Sequence, residues 1–201
     1  MTINPSEQHF ANIYKLLIGS IVPRPIAFVS SLSADGVRNL APFSFFSAVC
    51  SNPPIVLFST SVRGDGSNKD THNNVKATGE FVVNIVSENI AEQMNICSAD
   101  VALDVDEFVL SGLTPIPCDI VKPPRVKESL INMECKLRQI VSFGDHPGAG
   151  KTIFGEVVRF HVDDSIVDNF RIDPEKLQAI GRMGGNFYST TRDRFELVRP
   201  K

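Results

Sequence analysis

Pro23-Arg-Pro-Ile-Ala-Phe-Val-Ser-Ser-Leu-Ser-Ala-Asp-Gly-Val-Arg-Asn-Leu-Ala-Pro-Phe-Ser-Phe-Phe46 is the stretch that decides the fold. Two apolar runs flank Asp35-Gly36, and a turn dipeptide between strand-forming runs predicts a β-hairpin. The second run carries Pro42 in its middle. Proline has no amide hydrogen, so it suits only a sheet edge, a bulge or a strand end. Just beyond it come the amides of Phe43, Ser44 and Phe45, with aromatic rings and a small hydroxyl. This corner has two readings: an ordinary hairpin ending in a bulge, or a cradle for a flat, partly apolar ligand with a hydrogen-bonding edge.

Outward from the hairpin, most of the chain reads as strand. Ile55 to Ser59, Phe81 to Val86, Glu134 to Phe143 and Thr152 to Val162 are rich in β-branched and aromatic residues. Ser6 is a candidate cap for a helix running to about Ile18, with Phe10, Ile13, Leu16 and Leu17 as its apolar stripe. Helical stretches are predicted at Asp70 to Thr78 and Asn89 to Ile96. A further helix is expected to start at Asp173-Pro174, an Asp cap followed by proline at the first helical position. Many strands in antiparallel order with few helices predict a mainly β chain, a β-barrel with peripheral helices. With no repeat or linker-like tract, residues 1–201 read as a single domain.

The bulk composition narrows the function classes. The chain has 201 residues, 42% hydrophobic and 21% charged, which is ordinary for a globular domain that buries one core. A net charge of −3 argues against a nucleic-acid surface. The start, Met-Thr-Ile-Asn-Pro-Ser-Glu-Gln, lacks the basic residues and apolar centre of a signal peptide, and no run reaches membrane-spanning length. The expectation is a cytoplasmic protein with no membrane partner. Cys50, Cys97, Cys118 and Cys135 form no Cys-x-x-Cys pair and read as free thiols. His9, His72, His146 and His161 are equally dispersed, so no metal site is expected.

A second block, Ser59-Thr-Ser-Val-Arg-Gly-Asp-Gly-Ser-Asn-Lys-Asp-Thr71, follows a strand and enters the Asp70 helix. Hydroxyls, glycines and two cations at a helix start make a natural anion site, because unpaired amides and the helix dipole favour negative charge. Arg63 can fork onto a phosphate while Lys69 acts as a point charge. The alternative is a solvated loop with Asp70 or Thr71 as a plain N-cap. Gly144-Asp-His-Pro-Gly-Ala-Gly-Lys-Thr152 imitates a nucleotide P-loop, but the position five before Gly150 is Asp145, and Thr152 opens a strand. It reads as a hairpin loop. Near the C-terminus, Gly184-Gly185 permits close backbone approach, with Arg182 and Tyr188 beside it. Either a ligand contact or simple packing of the tail satisfies that segment.

Several pieces recur in one order in a known family: Tyr14-Lys-Leu-Leu, Val22-Pro-Arg-Pro-Ile-Ala, Asn39-Leu-Ala-Pro-Phe-Ser-Phe-Phe, Lys69-Asp-Thr71, Gly79-Glu-Phe-Val-Val-Asn84, Gly155-Glu-Val157 and Gly181-Arg-Met-Gly-Gly185. The chain thereby resembles the flavin reductase-like family with the FMN-binding split-barrel fold, in its flavoredoxin-like branch. The likeness implies FMN held non-covalently at a homodimer interface. Carried over by position, Asn39, Ala41, Pro42, Phe43, Ser44 and Phe45 would line the ring and ribityl chain. Ser59, Thr60, Ser61, Arg63, Lys69 and Thr71 would take the phosphate, and Arg24, Gly185 and Tyr188 would lie near the ring.

The likeness also implies NADH or NADPH as co-substrate and free flavin or a redox protein as acceptor. The cofactor would carry the chemistry, so no catalytic acid, base or nucleophile is assigned. There is one departure. Some NAD(P)H-using members place a histidine just before the Gly-Glu-Val strand, where this chain has Lys151-Thr152-Ile153-Phe154. That leaves an FMN electron carrier reduced by a protein partner as the alternative. A pyridoxamine-phosphate-oxidase-like enzyme and a barrel for a non-flavin ligand are further alternatives.

Overall fold

The structure, a computed structural model, describes residues 1–200. A 3-10 turn at Pro5–Glu7 precedes helix α1 (Phe10–Ser20), and the hairpin strands β1 (Ala27–Leu32) and β2 (Arg38–Phe43) follow. Then come β3 (Phe46–Ser51), β4 (Pro54–Ser61), α2 (Asp70–Thr78), β5 (Glu80–Ile85), α3 (Ala91–Ile96) and α4 (Glu107–Ser111). A short pair, β6 (Pro115–Ile116) and β7 (Arg125–Val126), leads into the long strands β8 (Ile131–Ser142) and β9 (Gly150–Val162). Two small ladders close the chain: β10 (Val167–Asp168) with β11 (Arg171–Ile172), and, beyond α5 (Pro174–Leu177), β12 (Ile180–Arg182) with β13 (Tyr188–Thr190).

Seven strands form one antiparallel sheet in the order β2-β1-β5-β8-β9-β4-β3. Its two edges, β2 and β3, are consecutive in sequence and joined only by Ser44 and Phe45. Three Cα steps reach at most about 11 Å, whereas the edges of a flat seven-stranded sheet lie about 29 Å apart. The sheet therefore has to curl. It closes where the Phe43 ring meets the Phe58 ring, centroids 5.1 Å apart, and where the Ser59 amide donates to the Phe45 carbonyl at 2.9 Å. The expected mainly β barrel with peripheral helices is what forms, and the opening stretch is its seam.

Strand alternation divides the core in two. Ala27 and Val29 of β1 join Phe58, Phe81, Val83, Met133, Ile153 and Val157 in one cluster. Phe28, between them, faces the other way, into Leu40, Val86, Ile90, Met94, Phe108 and Ile180. β1 is buried on both faces: Ala27, Phe28 and Val29 are apolar, and the buried Ser30 and Ser31 donate their hydroxyls to the Pro124 carbonyl and Asn39 Oδ1. Gly155 is a packing glycine: a Cβ there would lie 2.2 Å from the Phe81 ring. The ring occupies the space that a side chain would need.

Two expectations shift. The N-terminal helix starts at Phe10 with His9 as cap, because Pro5–Glu7 forms its own turn capped by Asn4. Its apolar stripe packs into no core of this chain, and no residue of α1 is buried. The helix at Asp173-Pro174 does start there, with Asp173 accepting from the Glu175 amide, but it lasts four residues. No helix is long and apolar enough to cross a membrane.

Candidate functional site

Pro42 sits in an intact ladder, not in a bulge. The β1–β2 register runs without a break from Ala27↔Phe43 to Leu32↔Arg38. The Leu40 amide points off the free edge of β2, donating to Glu107 Oε2 at 3.1 Å. Backbone polarity alternates along a strand, so the nitrogen of Pro42 lies on that same outer side. Its missing hydrogen costs no ladder bond. Beyond it, among the described residues, the amides of Ser44 and Phe45 donate to nothing. Phe43 remains in the ladder, so two of the three expected amides are free.

A small cleft of about 90 Å³ opens beside this edge. Asn39, Ala41, Pro42 and Phe43 line one wall, and Arg63, Lys69, Asp70 and Thr71 another. α2 enters it uncapped: Lys69 occupies the N-cap position with no side-chain bond to the first turn. Neither Asp70 nor Thr71 is the cap, so the helix start keeps free amides toward the cleft. The cations are already engaged. Arg63 pairs with Asp70 at 2.7 Å and also donates to the Asn68 carbonyl, while Lys69 Nζ lies 2.5 Å from Asp100 Oδ1. The other Asp70 oxygen, Oδ1, is buried without a partner.

A second cleft of about 150 Å³ shares Pro42 and Ser98 with the first and continues to Ser44, Met94, Arg182 and Tyr188. The Arg182 guanidinium lies over the Tyr188 ring at 4.4 Å and donates to the Gly185 carbonyl at 2.6 Å. Tyr188 therefore joins the groove, whereas Gly185 serves as the turn behind it, at φ +61°. Arg24 is buried and spent on the chain itself. It donates to the carbonyls of Ile18, Ile21 and Met183 at 2.7, 2.8 and 3.1 Å and to Ser44 Oγ at 3.3 Å. It holds the end of α1, the β12 segment and the corner together.

The structure does not bring all the expected residues into one groove. Phe45, Ser59, Thr60 and Ser61 line a separate, wider groove of about 800 Å³, walled by α1, Phe143 and Thr152. Ser59 Oγ and Thr152 Oγ1 are hydrogen-bonded at 2.7 Å, and Thr60 Oγ1 is buried without a partner.

Sequence reading missed Glu107, which underlies the first cleft. It accepts from Asn39 Nδ2 at 2.8 Å and from the Leu40 amide, and Asn39 Oδ1 accepts from Thr71 and Ser31 at 2.7 and 3.1 Å. Burial pushes the Glu107 carboxyl above its ordinary range, although these hydrogen bonds oppose the shift. The available signal was local: Asp106 caps α4 through the Phe108 amide and Gly112 ends it in the left-handed region.

Elsewhere, the β8–β9 pairing places His161 beside Glu134 and Asp119, a juxtaposition that sequence spacing did not reveal. Of the four histidines only His161 joins this group, and among the described residues no second histidine accompanies it. Glu134 is fully buried, and its oxygens accept from the amides of Asp119, Ile120 and Val121 and from His161 Nε2. Asp119 pairs with Arg159 at 2.9 Å. The carboxylate's acceptor capacity is taken up by this chain, so the group is a structural clasp.

The class that the fold and site define is a curled antiparallel β-barrel whose seam carries a narrow groove beside a cation-flanked helix start. The chain belongs to the flavin reductase like domain family, whose model matches residues 18–174. It is similar to nitrilotriacetate monooxygenase component B from Bacillus cereus, with 42% identity and a TM-score of 0.94 over 98% of each chain. It is also similar to the 2-nitrobenzoate 2-nitroreductase of Pseudomonas fluorescens, with 33% identity and a TM-score of 0.90 over 100% of this chain and 96% of that one. Two more distant chains share the fold. One is a Shewanella frigidimarina chain with a split barrel domain, at 23% identity and TM-score 0.84 over both whole chains. The other is the flavoredoxin of Desulfovibrio vulgaris, at 21% and 0.76 over 89% of this chain and 92% of that one. The fold is the split barrel, and the family is flavin reductase like, with oxidoreductases among its solved neighbours.

Proposed function

We propose that this chain is an FMN-dependent oxidoreductase that accepts electrons from NADH or NADPH and passes them to free flavin or to a second protein. The observation that carries this reading is the continuity of two chemically different ends across Pro42. One end offers an uncapped helix start with Arg63, Lys69 and Thr71, suited to a phosphate. The other offers the free Ser44 amide and the Tyr188 ring, suited to the polar edge and face of a flat ring. Bound FMN would supply the electron-transfer chemistry itself. The task of the chain is to bind, orient and shield.

The same reading includes a homodimer, a single domain and a cytoplasmic location. Phe10, Tyr14, Leu16 and Leu17 leave an apolar face on α1 uncovered, and a second copy is the expected cover. That the Bacillus cereus relative is one component of a monooxygenase supports delivery to another protein. The test is an FMN titration followed by visible absorbance and light scattering, then anaerobic addition of NADH or NADPH. Flavin absorbance that co-migrates with a dimer and bleaches with nicotinamide alone is the expected result. Protein that stays colourless overturns it.

One observation favours a second reading, an electron carrier reduced by a protein donor. Thr152, in the segment where some relatives carry a histidine, is hydrogen-bonded to Ser59, and His146 is exposed in the preceding loop. Bound FMN that resists nicotinamide but is reduced by a donor protein would select that reading.

A further inference from the structure

The phosphate end contains a carboxylate where an anion is needed. Asp100, in the segment after α3, lines the first cleft and shares one oxygen between both cations. Its Oδ1 is 2.5 Å from Lys69 Nζ and 3.8 Å from Arg63 Nε. Arg63 is further held by Asp70, so each cation already has a carboxylate partner. The three groups differ in access to water. The Asp100 side chain is 71% exposed, against 33% for Lys69 and 23% for Arg63. The acid is thus the outermost member, standing between the cations and an arriving ligand.

We propose that Asp100 is an internal competitor for the flavin phosphate, a residue that sets affinity and specificity by occupying the cation pair until the ligand displaces it. A phosphate oxygen and the Asp100 oxygen cannot both lie at contact distance from Lys69 Nζ without facing each other as like charges. The carboxylate leaves or the phosphate binds weakly. Either way the measured affinity is the difference between two anions competing for one pair of cations. Exposed ion pairs are weak, so the competitor is easily displaced and the site remains usable. A site built this way exchanges its flavin instead of holding it permanently. This inference rests on the FMN reading above and sharpens it, because an exchangeable flavin suits delivery of reduced flavin more than a resident carrier.

The test compares wild type, Asp100→Asn and Asp65→Asn, with FMN and riboflavin as ligands. Asp65 is an exposed acid in the loop that carries Arg63 and Lys69, with its carboxylate turned onto Ser67, so it controls for the loss of a nearby negative charge that does not contact Lys69. Asp100→Asn is expected to tighten FMN about three- to tenfold and slow its release, with a steeper salt dependence. Riboflavin affinity in that variant, and FMN affinity in Asp65→Asn, are expected to change less than about twofold. Equal tightening of riboflavin, or of FMN in both variants, overturns the competitor. So does unchanged or weaker FMN binding in Asp100→Asn while wild type binds FMN normally. Wild type that binds neither flavin overturns the FMN reading itself, and the inference falls with it. Thermal unfolding of each variant shows whether any loss of binding reflects a loss of fold.

Discussion

The Phe43 ring rests against Phe58 at 5.1 Å between centroids, and this contact joins the first strand pair of the barrel to the last. Phe58 is fully buried and also meets Phe81 edge-on at 5.4 Å. Phe58→Ala should therefore cost about 3–5 kcal/mol, the usual range for a buried phenylalanine. Phe43 is only half-buried, and Phe43→Ala should cost less while loosening the cleft wall. Urea unfolding gives the first quantity and FMN titration the second. If Phe43→Ala left flavin affinity unchanged, the seam would not support the groove.

Pro42 gives a sharper test, because the two positions available to a strand proline predict opposite signs. With its nitrogen on the outer side of β2, Pro42→Ala loses only the stiffness that proline gives the unfolded chain. Stability should fall by about 0.4–1 kcal/mol. Were the nitrogen aimed at β1, the new amide would complete a ladder bond and stability would rise. The sign of the change in urea midpoint decides.

What the sequence made legible follows from the range of the forces involved. α2 was readable to the residue because its start and its stop at Gly79, in the left-handed region, are local backbone chemistry. β4, β5, β8 and β9 were readable from their side-chain pattern. β3 was not, because Phe46–Ser51 is exposed along most of its length and shows no buried alternation. The α1 stripe was visible, but periodicity cannot say whether a helix face meets its own core or another copy.

The site shows the same division. Pro42, Lys69 and Thr71 announced themselves through backbone rules and charge. Glu107 did not, since it lies 68 residues from the Asn39 it holds. The acids Asp70 and Asp100 were missed because an anion site read from its cations leaves out their counter-ions. Ser59 and Ser61 looked like phosphate hydroxyls in a one-dimensional reading. The path of β4 takes them to the groove on the other side of Phe45.

Gly155→Ala tests whether that motif glycine is structural. The new Cβ would lie 2.2 Å from Phe81 Cζ and 2.7 Å from its Cε1, inside a ring buried on all sides. Overpacking of this kind costs about 1–3 kcal/mol or more. Phe81→Leu alone should also destabilise, but combined with Gly155→Ala it should cost less than the sum of the two. Additive losses in the double-mutant cycle would show that the glycine serves something other than the ring.

Glu134 should dominate the acid limb of the stability curve. Burial raises the pKa of its carboxyl, but the amides of Asp119, Val121 and Ile120 and the His161 ring outweigh that and bring it down to about 2. The folded-state value lies below the ordinary 4.5, so the contribution is complete at neutral pH. It declines as pH falls from about 4.5 and is gone near pH 2. At about 1.4 kcal/mol per unit, the shift corresponds to roughly 3 kcal/mol. Glu134→Gln keeps the shape but loses the charge and turns an N–H group toward N–H donors, so it should be less stable than wild type by at least about that amount at neutral pH. The gap should narrow through the 4.5-to-2 window, as wild type alone loses a charged clasp. Unfolding curves recorded across that window would sink the assignment if the two proteins stayed parallel.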